Sequence, residues 1–140
     1  MPQNITFHSE DVDFHLVNEK QLIKWLQNAI KSEGKTVSEL SYIFCSDDYL
    51  HKMNLEYLNH DTYTDIISFD YTEGSVVGGD IFISIDRVKE NALKFKTEFL
   101  NELSRVIVHG VLHLVGYKDK TTKEKGLMRS KEDFYLTLLN

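Results

Sequence analysis

The sequence predicts a single α+β domain spanning residues 1–140: a mixed sheet of about four strands packed with helices, with one buried central helix carrying a histidine pair. Three observations predict it. Short apolar runs suited to strands recur at residues 4–9, 40–45, 64–71 and 80–85. Stretches with helical periodicity separate and follow them. A chain of 140 residues that is 41% hydrophobic can fill one core and leaves too little for a second. The only proline is Pro2, and no Pro-, Gly- or Ser-rich linker interrupts the chain.

Taken in order, residues 4–9 form the first strand. Asn18, with Gln21 three residues on, then reads as the N-cap of a helix that runs through Ile30 and ends near Gly34. Leu22, Trp25, Leu26 and Ile30 give this helix its apolar stripe. Leu40–Cys45 is the next strand, and Ser46-Asp47-Asp48 resembles the cap of a short helix bearing Leu50, Met53, Asn54 and Tyr57. Thr64–Tyr71 and Asp80–Ile85 read as an antiparallel pair. The segment between them, residues 73–79, holds glycines that suit a turn or hairpin loop. Helical signals resume at Arg87–Lys94. Thr97 can cap the histidine helix, and Thr121 with Glu124 forms a capping box for the last helix.

The chemistry concentrates in residues 103–119. Leu103, Val106, Ile107, Gly110 and Leu114 share one helical face, and Val108, Val111, Leu112 and Val115 fill much of the rest, so the helix is mostly interior. His109 and His113 are four residues apart and project from one side of it. Gly116 provides a left-handed exit, and Asp119 follows in the tight connection to the last helix. Two imidazoles and a carboxylate would hold Zn2+ and leave a fourth tetrahedral position open, although a His-x-x-x-His pair taken alone packs or hydrogen-bonds more often than it ligates. The zinc-peptidase motif H-E-x-x-H puts a glutamate base where this chain has Gly110, so peptide hydrolysis loses its strongest warrant. Arg105, one turn before His109, is a candidate supporting residue. It could meet a phosphate oxygen or, the favoured reading, pair with a buried carboxylate such as Asp65 or Asp80.

A net charge of −6 argues against indiscriminate coating of nucleic acid. Local basic clusters nevertheless stand at Arg87, Lys89, Lys94 and Lys96 and at Lys118, Lys120, Lys123, Lys125, Arg129 and Lys131. The second reads equally as an anion-facing surface or as a solvated helix face laced with Glu124 and Glu132. Cys45 is the only cysteine, which excludes an internal disulfide and a thiolate metal cluster and suits packing. No apolar run has the length of a membrane span, and the cytoplasm is the simplest location. His8, His15, His51 and His60 lack partner spacing.

The run His109-Gly-Val-Leu-His113-Leu-Val-Gly-Tyr117-Lys-Asp119 resembles the motif H-G-x-L-H-L-x-G-Y-D-H of the YbeY family, metal-dependent endoribonucleases known as rRNA maturation factors. Asn54-Leu-Glu-Tyr57 and Asp61-Thr-Tyr-Thr64-Asp65-Ile-Ile-Ser68-Phe69 are similar to its N-x-x-Y-R-x-x-D-x-P-T-D-V-L-S-F segment, and Gly79-Asp80-Ile81 to its G-D-I strand. The resemblance covers nearly the whole chain. It implies a zinc-dependent endoribonuclease acting on single-stranded rRNA precursor near the small-subunit 3′ end and in ribosome quality control, with no DNA or membrane partner. His109 and His113 would be zinc ligands, with Asp119 where the family has a third histidine. Thr64, Asp65 and Ser68 would line the cleft, while Asn54, Tyr57 and Asp61 could contact RNA or merely satisfy a polar helix end. Two positions depart: the family arginine is Leu58 here, and its proline is Tyr63. Arg105 or Lys118 would then be the candidate for the missing cation. The rival class is a ribosome-assembly binding factor with a structural metal, and a metalloprotease is the third reading.

Overall fold

Strand β1 (Ile5–Ser9) runs parallel to β2 (Thr36–Cys45), and the intervening α1 (Glu19–Ser32) makes the crossover. Helix α2 (Asp47–Leu58) leads to β3 (Ile66–Asp70), which pairs antiparallel with β4 (Val76–Ser84); β4 lies parallel to β2 on its other side. The sheet order is therefore β1-β2-β4-β3. Three helices complete the fold: α3 (Ile85–Lys94), α4 (Phe99–Leu114) and α5 (Thr122–Thr137). This computed structural model describes residues 4–59 and 64–139, so His60, Asp61 and Tyr63 lie outside the described residues. The expected mixed four-stranded sheet with a central histidine helix is the architecture observed.

Alternation along the strands sorts side chains between the two faces. Leu40, Tyr42 and Phe44 of β2 and Ile81 and Ile83 of β4 join Leu22, Leu26 and Ile30 of α1 and Leu103, Ile107 and Val111 of α4 in the main core. Each such fully buried aliphatic side chain stabilises the fold by roughly 1.5–3 kcal/mol. The Tyr42 hydroxyl, buried there, donates to the Ile107 carbonyl at 2.7 Å and so fixes α4 over the centre of the sheet. On the opposite face a smaller cluster of Cys45, Leu50 and Ile67 seats α2, with Phe69 and Phe82 against it. Cys45 is packing, as expected.

Four local expectations need correction. Gly78 and Gly79 belong to β4, not to the turn. A Cβ on Gly79 would stand 2.5 Å from the Phe69 carbonyl oxygen of the neighbouring strand, and one on Gly78 would stand 2.7 Å from Ser38 Oγ. Only Gly74, at φ +60°, serves the turn. Strand β2 starts at Thr36 rather than Leu40, because Thr36 and Val37 pair with Val76 and Val77 ahead of a register shift. Asn18 does precede α1, but its backbone (φ −125°, ψ 40°) is not the extended form that aims a capping side chain at the helix, and its Oδ1 is buried without a partner. Gln21 reaches instead to the Leu139 carbonyl. Thr97 does not cap α4: the helix begins at Phe99, so Glu98 is the N-cap, with no side-chain bond, and the Thr97 N–H closes the turn after α3 on the Ala92 carbonyl. The caps at Ser46 and at Thr121 with Glu124 form as expected.

Helix α5 is fastened at two points. The Trp25 indole donates to the Tyr135 carbonyl at 2.7 Å. At the end of α1, Glu33 accepts from the Tyr117 hydroxyl at 2.7 Å, the Lys131 ammonium at 3.3 Å and the Tyr135 hydroxyl. One carboxylate thus ties together α1, the exit of α4 and α5. Burial pushes the Glu33 carboxyl up, but the bonds from Tyr135, Tyr117 and Lys131 outweigh it and hold the group below its ordinary range.

Gly79→Ala should lower stability by about 2 kcal/mol or more, because backbone on the adjacent strand cannot yield. Gly126→Ala, in open space on α5, should raise it by about 0.5–1 kcal/mol. Urea unfolding of both variants beside wild type checks the opposite signs. Because the folded Glu33 carboxyl is held low, its contribution is complete above the ordinary glutamate range and is lost as pH falls through the folded value. Glu33→Gln should therefore be less stable than wild type at neutral pH, with the gap closing in acid; a gap independent of pH would show that the charge is not what counts.

Candidate metal centre

The site begins with how α4 ends. The Gly116 N–H bonds the His113 carbonyl at 3.1 Å and the Tyr117 N–H bonds the Leu112 carbonyl at 2.9 Å, the paired closure of a Schellman motif. Gly116, at φ +116°, supplies the turn. The chain doubles back, and Asp119 comes to lie beside the two histidines just before α5 starts.

His109 and His113 stack edge to face with ring centroids 4.5 Å apart. Asp119 Oδ2 is 3.3 Å from His109 Nε2 and 3.2 Å from His113 Nε2. One ligand atom from each of the three residues lies within 4.8 Å of the others. Donors 2.0–2.2 Å from a tetrahedral ion stand about 3.3–3.6 Å apart, so the two carboxylate-to-imidazole separations already approximate tetrahedron edges. The group His109, His113 and Asp119 could hold a metal ion.

Both remaining ring nitrogens are engaged. His113 Nδ1 donates to the Tyr117 carbonyl at 3.0 Å, which leaves the Nε2 lone pair directed at the site. His109 Nδ1 meets Glu132 Oε2 at 2.6 Å. Glu132 is 6% exposed, and its other oxygen accepts from Arg105 at 2.9 Å, while Arg105 also binds Asp133 at 2.6 Å. Arg105 therefore takes the structural pairing expected of it, but with Glu132 and Asp133 rather than Asp65 or Asp80. Those acids are on the sheet side, whereas α5 packs along α4 and presents its own carboxylates to the guanidinium. Asp80 lies outside the cleft and accepts from the Tyr71 hydroxyl.

These groups open into a cavity of about 420 Å³ that also includes Thr64, Asp65, Ile66 and Ser68 of the β3 side and Glu102 and Arg129. The cleft placement expected of Thr64, Asp65 and Ser68 is observed. Burial raises the Asp65 carboxyl, with His109 opposing it, and raises Glu102 with Arg105 opposing. Burial alone would lower the His109 imidazole, but Glu132, with help from Asp119 and Asp65, raises it. Neither Lys118 nor Leu58 lines the cavity. Asn54 is buried at 3% exposure, consistent with a structural reading, while Tyr57 is 65% exposed.

Glu132 and Glu102 were not read from the sequence as site residues, and Arg129 only as one of a basic run that reads equally as anion-facing or solvated. For Glu132 a signal existed: it sits between Met128 and Tyr135 at helical spacing, on the buried side of α5. Gly110 faces the sheet, where an added Cβ would lie 2.8 Å from Ile81 Cδ1 and 3.2 Å from Ile66 Cδ1. The position at which a zinc peptidase keeps its base thus points away from the candidate ligands and has no room for a side chain.

A family model described as Endoribonuclease YbeY matches residues 4–140. A relative named Endoribonuclease YbeY from Christiangramia forsetii is 55% identical over 136 residues, covering 97% of this chain and 94% of that protein. One of the same name from Flavobacterium johnsoniae is 56% identical over 129 residues, covering 92% of each. The solution structure of a Thermotoga maritima protein superposes with a TM-score of 0.68 at 28% identity, covering 96% of this chain and 88% of that one. With its match running from the first strand to the last helix, the chain belongs to the endoribonuclease YbeY family.

Proposed function

We propose that the protein is a zinc-dependent, single-strand-specific endoribonuclease of the cytoplasm that processes ribosomal RNA precursor near the small-subunit 3′ end and acts in ribosome quality control. The observation that carries the metal-dependent reading is the convergence of His109 Nε2, His113 Nε2 and an Asp119 oxygen, each imidazole locked from behind. Family membership supports RNA as the substrate. Among the described residues no helix is long and apolar enough to cross a membrane.

A zinc ion held by these three residues would lower the pKa of bound water toward 7 and polarise a phosphoryl oxygen. The protein's own contribution is placement. Tyr117, through its carbonyl, fixes the His113 tautomer, and Glu132 orients the His109 ring. Arg105, 2.9 Å from the other Glu132 oxygen, holds that carboxylate in register at its buried position. Asp119, with 38% of its side chain exposed, faces the open cleft, so a substrate phosphate can reach the fourth position. This access favours catalysis over a purely structural metal.

His113→Ala and Asp119→Ala should each lower bound zinc and abolish cleavage of a single-stranded RNA while the fold persists. Elemental analysis, circular dichroism and mapping of rRNA ends in cells check this, and normal ends in both variants would reject the maturation role. Glu132→Gln should weaken metal binding or activity by about 10- to 100-fold without removing a ligand. Because His109 must surrender a proton that Glu132 and Asp119 help it keep, metal affinity should fall as pH drops through the raised histidine range. Calorimetric titration with Zn2+ between pH 5 and pH 8 reads this, and a flat profile would be the contrary result.

A further inference from the structure

The cleft is acidic: Asp65, Glu102, Asp119 and Glu132 face only two guanidiniums, Arg105 and Arg129. Even with a divalent ion, such a cavity attracts a polyanion only where an uncommitted cation stands. Arg105 is committed, held by Glu132 at 2.9 Å and Asp133 at 2.6 Å. Of the basic run from Lys118 to Lys131, Lys131 is tied to Glu33 and lies over the Tyr117 ring, and Lys118, Lys120, Lys123 and Lys125 stand outside the cavity. Arg129 does line it, is exposed, and among the described residues makes no ion pair or side-chain hydrogen bond, feeling instead the longer-range attraction of Glu102 in the same cleft.

Its position on α5 gives this freedom a use. Arg129 stands about one helical turn before Glu132, the residue that holds His109, and lines the same cavity as the candidate ligands. Lys125 is four residues earlier, exposed and on the same side of the helix, with about 5–6 Å between such Cβ atoms. A guanidinium offers paired N–H donors matched to two phosphate oxygens, which an ammonium cannot reproduce.

We propose that Arg129 is the phosphate-binding residue of the cleft and that Lys125 binds a neighbouring phosphate, so that single-stranded RNA runs along α5 past His109, His113 and Asp119. This rests on the endoribonuclease reading and adds to it the path of the substrate backbone. The competing role for Arg129 is a solvated position on a helix face, which the test distinguishes.

The test compares Arg129→Gln, Arg129→Lys, Lys125→Gln and the control Lys20→Gln, which changes net charge equally on the exposed side of α1. Zinc-loaded proteins are assayed for cleavage of a fluorescent unstructured oligoribonucleotide, and for its binding by anisotropy across a salt series. Arg129→Gln should lose about tenfold or more in kcat/KM, with zinc content and fold unchanged. Its plot of log affinity against log salt should be shallower by about 0.7, the loss of one phosphate contact on a single strand. Arg129→Lys should keep the slope and lose part of kcat, Lys125→Gln should lose slope more than kcat, and Lys20→Gln should match wild type. Arg129→Gln behaving like Lys20→Gln in both assays overturns the proposal, as does loss of zinc together with activity. A wild type that binds the oligonucleotide without cutting it overturns the nuclease reading alone, since the salt slopes still decide the role of Arg129. A wild type that neither binds nor cuts overturns both.

Discussion

The structure depends on burying a helix that carries two polar rings. Helix α4 is interior along most of its length, yet His109 and His113 each leave two nitrogens to be satisfied where water is scarce. The fold meets this with a separate acceptor behind each ring: a backbone carbonyl at Tyr117 for one, and a buried carboxylate at Glu132 for the other. The carboxylate would itself be costly at 6% exposure without Arg105, which in turn is balanced at the surface by Asp133. The chain Asp133, Arg105, Glu132, His109 carries charge from solvent to the site in paired steps. A buried group left unpaired at any step would destabilise the helix that positions all the rest.

The same economy governs the Asp119 loop. Its placement follows from the Schellman closure at Gly116 and from the Tyr117 hydroxyl reaching Glu33. Tyr117 acts at both ends, since its carbonyl holds His113 while its side chain anchors the loop to the end of α1. The first helix, far from the cleft in sequence, therefore contributes to the geometry of the third candidate ligand. Glycine serves the approach of layers rather than flexibility: Gly79 lets β3 lie against β4, and Gly110 lets α4 settle on Ile81 and Ile66. That packing also argues against the peptidase reading, because the required base would have to occupy the space the sheet already fills.

Much of this was legible in the sequence, for reasons that are local. The four-residue histidine spacing, the glycine exit and the Thr121–Glu124 box depend on neighbours a few positions away, and the fold reproduces them. What escaped depends on partners distant in sequence. Glycines 78 and 79 look like turn residues until the Phe69 backbone and Ser38 are known to crowd them. Glu132 looks like part of a charged helix face until α5 is laid along α4. Arg105 has several acids to choose from, and only the packing of α5 decides among them. Asn18 fails as a side-chain cap because its backbone, at φ −125° and ψ 40°, leaves the extended form, which residue type and spacing do not record.

The carboxylate at position 119 sets the character of the site. Three neutral imidazoles would give a divalent ion no charge compensation, whereas Asp119 supplies a negative oxygen 3.2–3.3 Å from both rings. The same oxygen, with Glu132, favours a proton on His109, so a proton and a metal ion compete for one set of lone pairs. An anionic ligand also makes metal-bound water less acidic than a neutral set would and moves preference toward harder ions. A cation facing the same cleft would complement that site by neutralising an incoming phosphodiester, and of the two guanidiniums that line it Arg105 is held by Glu132 and Asp133 while Arg129 makes no ion pair among the described residues.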